Sequence, residues 1–284
     1  MRANWGLILV PSFLLGMVML IFPQVVFLRS SFFEDVGLGL LGDAFSFANY
    51  VIAFSDPYYT DALKLNLMLS TTVVFLTLMV SFPVAYTIAR MTPKWAMIIL
   101  AAIIVSAFVS VAIKILGIII LFGGDGAVVK TLKAFGIIGD GFKVIGTMPG
   151  VIVGLTHLGI SFMVLMLFSV IQTVPRSFEE AAEIHGAVRW RVYWRVIIPL
   201  SLPGLVSTSL LLFNIIMGAF VSALVLGGGK ILTFPVLIQQ SLLVHVEYGM
   251  SATLSSMLLM FVLVINLVSV FLVTRIRAAR LAVT

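Results

Sequence analysis

Long apolar runs separated by short polar stretches dominate the chain. Six runs carry no Asp, Glu, Lys or Arg: residues 3–28, 65–89, 95–113, 144–175, 196–229 and 248–274. A helix of about 20 apolar residues covers ~30 Å of hydrocarbon, and the third run reaches that length by continuing past Lys114 to Phe122. The pattern predicts an all-α polytopic membrane protein with six spans, at about 6–28, 63–89, 96–122, 148–172, 203–226 and 250–274. A further charge-free stretch, Ile231–Val246, is shorter and contains Pro235, Gln239, Gln240 and His245, so it reads as an interfacial or re-entrant segment. Prolines 11, 23, 83, 149 and 203 fall in or at the ends of spans, where they kink helices or free carbonyls for neighbours.

Composition agrees with this reading. Of 284 residues, 62% are hydrophobic and 10% charged, and the mean hydropathy is +1.23. A water-soluble domain holds about 25% charged residues, so disordered chains, disulfide scaffolds and free soluble enzymes are excluded. Cysteine is absent, which removes disulfides, thiolate metal sites and cysteine nucleophiles. The polar segments at about 29–62 and 123–147 are too short for independent domains, so a single transmembrane domain over 1–284 is expected. The first run is too long, and lacks a small-x-small site, for a cleaved signal.

Charge placement sets the expected orientation. With six spans and an inner N-terminus, the inner segments hold Arg2, Arg90, Lys94, Arg176, Arg189, Arg191, Arg195, Arg275, Arg277 and Arg280. The outer side and membrane interior hold Arg29, Lys64, Lys114, Lys130, Lys133, Lys143 and Lys230, together with most of the acids, Asp140 among them. A seventh span would put the Arg275–Arg280 tail outside, against the positive-inside rule. Both termini are therefore expected in the cytoplasm. The net charge of +6 serves orientation, and no nucleic-acid partner is expected.

Catalytic chemistry has little to build on. His157, His185 and His245 are scattered, and neither HExxH nor a Ser/His/Asp grouping occurs. No catalytic residue, resident cofactor or metal site is expected. Gly227-Gly228-Gly229-Lys230 lacks the spacing of a phosphate-binding loop and reads as a flexible turn. Lys114 has two readings, an intramembrane functional charge or a side chain snorkelling to the outer interface. Asn66 and Asn214, with Lys114, are candidates for a translocation path, and helix–helix bonding is the competing role of the asparagines, Asn266 included. The spans contain no carboxylate.

The segment from 175 to 204, PRSFEEAAEIHGAVRWRVYWRVIIPLSLPG, breaks the pattern. Ser177-x-x-Glu180 has the form of a capping box and predicts a helix start. Glu179, Glu180 and Glu183 suit its positive N-terminal end, and Gly186 suits its termination. Beyond it, Trp190 and Trp194 share a face, as do Arg191 and Arg195, which predicts a short helix at the membrane surface. An amphipathic connector without a partner is the simpler reading of such a loop.

The spacing of Glu180-Ala181-Ala182, three residues, Gly186, nine residues and Val196-Ile197-Ile198-Pro199 resembles the EAA signature of ABC importer permeases, with Val196 and Ile198 as conservative departures. Residues 45–90 resemble the polyamine branch of that family, through Asn49-Tyr50, Asp56-Pro57 and Phe82-Pro83-x-Ala85-Tyr86-x-x-Ala89-Arg90. Asn66 and Lys114 depart from residues common in the branch. The resemblance implies a type I permease fold and a coupling loop at 175–199, with Glu179, Glu180, Ala181, Ala182, Glu183, Gly186, Val196, Ile198 and Pro199 serving an ATPase. It further implies two ATPase copies that hold ATP and Mg, an external solute-binding protein, a second permease chain forming a heterodimer, and a bacterial inner-membrane location. The implied activity is import of a small solute, a spermidine/putrescine-like polyamine foremost, by alternating access. Another small solute is the alternative. An ion-coupled carrier or a membrane-embedded enzyme would leave the EAA spacing unexplained.

Overall fold

A computed structural model describes residues 5–139 and 141–281. Arg2 and Asp140, both used above to assign sidedness, lie outside the described residues. The chain divides into two compact units, one formed by residues 1–63 and 234–261 and the other by residues 64–233 and 262–284.

The first unit opens with α1 (Trp5–Ser30), apolar all round. Leu9, Phe13 and Leu20 are each at least 66% exposed, as befits a helix whose neighbour is lipid. A β-hairpin follows, β1 (Phe33–Gly37) pairing antiparallel with β2 (Leu40–Phe45). Leu38 and its two flanking glycines take positive φ to close the turn. Phe32, Phe45, Phe47 and Tyr50 cluster around it, with Phe32 stacked on Phe45 at 5.0 Å. Helix α2 (Ala48–Ser55) then leads into α3 (Pro57–Arg90), whose first turns belong here. The expected interfacial stretch is a short helix, α12 (Phe234–Gln240), continued by a π turn over Ser241–His245. Phe234, Val236 and Leu237 are buried, so this segment is packed against protein. It ends at Val246, and α13 (Tyr248–Leu281) begins. Both carboxylate oxygens of Asp35 accept from the first turn of α13, from Gly249 N and Met250 N at 2.8 Å each.

The second unit is built on α7 (Met148–Gln172), which packs against α4 (Pro93–Phe108), α5 (Val111–Phe122), α10 (Ile198–Met217) and α11 (Phe220–Leu226). Its small residues allow close approach: a Cβ on Gly154 would overlap Leu226 Cδ1, and one on Gly159 would press on Leu212 and Thr77. Helix α6 (Ala127–Ala134) follows α5. The charged segment supplies α8 (Ser177–Ile184) and α9 (Arg189–Val192).

Six helical stretches are long and apolar enough to cross a membrane: Leu9–Ser30, Pro57–Arg90, Val111–Ala134, Met148–Gln172, Arg189–Met217 and Tyr248–Phe271. Two differ in outline from the expected elements. The helix expected over 96–122 is interrupted, because Val109 and Ser110 are extended (ψ 134° and 136°). Val109-Ser110-Val111 is a run of weak helix formers, and Ser106 further up bonds across to Ser161 on α7. The helix expected over 203–226 begins earlier and breaks at Gly218-Ala219, where Gly218 supplies the C-cap of α10.

Candidate functional site

Helix α8 and its surroundings form the candidate site. The helix starts where expected, but the capping box does not form. Ser177 already lies in the first turn, Arg176 precedes it in helical conformation, and no side chain caps the end. The first amides instead donate to the carbonyls of Pro175 and Arg176. The C-terminus matches expectation. Gly186 has φ +80°, its N–H donates to Glu183 O at 2.9 Å, and Ala187 N–H reaches Ala182 O at 3.0 Å. That pair of bonds is a Schellman closure, and its left-handed position favours glycine.

The three glutamates differ in exposure. Glu179 points inward to the last turns of α3. Arg90 Nε donates to its Oε1 at 2.6 Å, Tyr86 Oη donates to its Oε2 at 2.8 Å, and a second Arg90 nitrogen lies 2.5 Å from Oε1. The same guanidinium donates to Val174 O at 3.1 Å, and Arg176 reaches back to Arg90 O at 3.4 Å. Side-chain exposure is only 16% for Arg90 and 14% for Glu179. This is a charge-assisted, multiply bonded clamp in a shielded position. Glu180, Ala181, Glu183 and Gly186 are exposed, and Ala182 is half-buried. Tyr86, Arg90, Glu180, Glu183 and Arg189 line a cleft of about 450 Å³ beneath α8.

Arg90 and Tyr86 drew no attention in the sequence as partners of this loop. One signal was present: they stand four residues apart, hence on one helical face, at the end of a long helix. What faces them cannot be read from spacing.

Past Gly186, the short surface helix expected around the tryptophans is instead the start of a continuous helical run. Helix α9 passes through a π turn over Tyr193–Ile197 into α10, with Ile198 N–H donating to Tyr193 O. Pro199 explains the widened turn. It has no N–H to donate and its ring would crowd the carbonyl four residues back, so the register shifts just before it. Tyr193 sits among aromatic rings, 5.3 Å from Phe82, 5.4 Å from Tyr86 and 5.9 Å from Trp190, stacked on the last. Trp190 and Trp194 remain at least half exposed. Ile197 is fully buried, while Val196, Ile198 and Pro199 are half-buried. The second half of the motif therefore packs α10 against its neighbours and offers little open surface.

The path candidates separate. Asn66 is 1% exposed and donates to Met217 O at 3.2 Å, closing the end of α10. Asn214 exchanges amide bonds with Asn266 of α13, at 3.0 and 3.2 Å. Both asparagines thus tie helices together. Lys114 is half-buried on α5. Gly227–Gly229 forms a defined turn, with Gly228 and Gly229 at positive φ. Among the described residues, no group of three or more His, Asp or Glu side chains is placed to hold a metal.

Comparison with known proteins accords with this architecture. The spermidine/putrescine transport system permease protein PotB of Haemophilus influenzae is 28% identical over 233 residues, covering 82% of this chain and 81% of that relative. The sulfoquinovosyl glycerol transport system permease protein SmoH of Agrobacterium fabrum is 29% identical over 194 residues, 68% of this chain and 62% of its own length. In structure, the chain resembles a bacterial alginate ABC transporter, solved in complex with alginate pentasaccharide-bound periplasmic protein. The TM-score is 0.79 at 18% identity, over 97% of this chain and 96% of that one, which shows a shared fold. Residues 81–278, most of the chain and the whole of the α8 site, match the family of binding-protein-dependent transport system inner membrane components, and the chain belongs to that family.

Proposed function

We propose that α8 is the coupling helix of this permease and that its exposed face docks on a cytoplasmic ABC ATPase. One observation carries the reading. The signature Glu180-Ala181-Ala182-x-x-x-Gly186 lies on a helix whose Glu179 is clamped to α3, while Glu180, Ala181, Glu183 and Gly186 are exposed. Small side chains permit a partner's close approach, and two glutamates offer charge for its basic groups. The clamp gives any push on α8 a rigid route into a membrane helix. ATP and Mg belong to the ATPase pair. A second permease chain, different from this one, completes the pathway in the bacterial inner membrane, with both termini in the cytoplasm. An external binding protein delivers the solute, a spermidine/putrescine-like polyamine. The breadth of the PotB similarity, more than four-fifths of each chain, supports that choice over the solute of the less fully covered SmoH.

The test is co-purification with the ATPase. Gly186 is a poor site for a blocking mutation, since any side chain there is strained by φ +80°. Ala181→Trp and Glu180→Ala are better, because both positions are exposed and the absent capping box leaves Glu180 without that local role. Loss of the ATPase with α8 still protected from hydrogen exchange is expected. Full retention of ATPase and ATP-driven uptake in both variants would refute the docking assignment.

A further inference from the structure

The first unit contains a second polar cleft, remote from α8 in sequence. It lies where the first turn of α3 meets the π turn after α12, has a volume of about 230 Å³, and is lined by Tyr58, Tyr59, Gln240, Ser241, His245 and Glu247 over a Leu237 floor. No lysine or arginine lines it. We propose that this cleft binds a primary alkylammonium group, held by the Glu247 carboxylate and the faces of Tyr58 and Tyr59. The proposal deepens the import reading, on which it rests for the identity of the solute.

Four observations support it. Glu247 is half-buried, and its carboxylate has no hydrogen bond or ion pair among the described residues. It stands just before α13, where a carboxylate commonly caps the helix. That role is already filled, since Asp35 takes the Gly249 and Met250 amides. Next, the two tyrosine rings meet edge to face at 5.2 Å, and Tyr59 lies within electrostatic reach of Glu247. An anionic group beside aromatic faces is the chemistry that recognises organic ammonium ions. Furthermore, the backbone is shaped to present Glu247. Val246 has φ 58° and ψ 39°, a left-handed conformation that β-branched residues rarely adopt. Glu247 N–H turns back to Ser241 O at 2.8 Å, closing the π turn. Strain and π insertions of this kind gather at ligand sites. Lastly, the size of the cleft suits one end of an alkylamine better than a whole sugar. Gln240 and Ser241 can accept the remaining ammonium hydrogens.

Two sources carry this chemistry, a free diamine or a lysine side chain of a docking protein. Saturation-transfer NMR on the full chain in lipid nanodiscs distinguishes them, using 1,4-diaminobutane, Nα-acetyl-lysine amide and the uncharged 1,4-butanediol. Run at pH 8, where alkylamines stay protonated, the assay needs no ATPase, so its failure leaves the importer reading standing. Saturable signal from the diamine is expected. Glu247→Gln should weaken it about fivefold, the size of a partly exposed charge contact, and Glu247→Asp should recover part. Signal from the lysine probe alone would support the ammonium site and assign it to a partner's side chain. If Glu247→Gln fails to fold, Tyr58→Leu carries the test, since that ring is 48% exposed. Equal signal from the diol, or binding unchanged in the folded variants, would overturn the proposal.

Discussion

Replacing Arg90 by Gln should release α8 without unfolding the protein. Helix α8 has eight residues, too few to persist alone in water, so its order depends on what anchors it. Glu179 accepts from both Arg90 and Tyr86, and with 14–16% side-chain exposure the pair lies between a surface and a buried ion pair. Surface pairs contribute about 0–1 kcal/mol, and breaking a buried one costs about 3–5 kcal/mol. An intermediate value of about 2 kcal/mol corresponds to roughly 30-fold easier detachment. Hydrogen exchange of peptides covering residues 177–187, measured by mass spectrometry in nanodiscs, reads this directly. Arg90→Gln should accelerate exchange there roughly 30-fold, and Tyr86→Phe, which removes one neutral donor, about fivefold. Glu179→Gln combined with Arg90→Gln should cost less than the two singles added together, because neither leaves a charge stranded. The charge swap Arg90→Glu/Glu179→Arg should recover part of the protection. Acceleration below about threefold in Arg90→Gln, with exchange elsewhere unchanged, would show that the clamp does not hold α8 and would remove the rigid link to α3.

Two other sites make sharp predictions. Gly154→Ala should destabilise the protein by about 1–3 kcal/mol through overlap with Leu226 Cδ1, and combined with Leu226→Ala it should cost less than the two singles added together, with detergent-solubilised melting temperature as the readout. Asn214→Leu or Asn266→Leu alone should cost about 1 kcal/mol by stranding the partner amide, whereas the double substitution should lie near wild type. Equal losses in single and double variants would argue against the reciprocal pair.

What the sequence determined by itself is what depends on local chemistry. Hydrocarbon thickness and helix rise translate charge-free runs into membrane helices, so the helix at 148–172 could be placed to the residue. Gly186 announced the end of α8 because only a residue without Cβ takes that left-handed turn at little cost. The EAA spacing, a one-dimensional pattern, named the family before any coordinates. Local rules also erred where neighbours intervene. The capping box at Ser177 was legible but does not form, since Arg176 already has helical conformation and, with Pro175, supplies the carbonyls. Tertiary structure alone decided which glutamate faces inward, because Glu179 and Glu180 are equivalent in sequence until Arg90, 89 positions away, selects one. It also decided that Asn66 and Asn214 bind helices together, that the third span breaks at Val109-Ser110, and that Asp35 relieves Glu247 of capping α13. These outcomes turn on pairings between distant segments, where one charge or amide is satisfied only by a partner whose position no local spacing encodes.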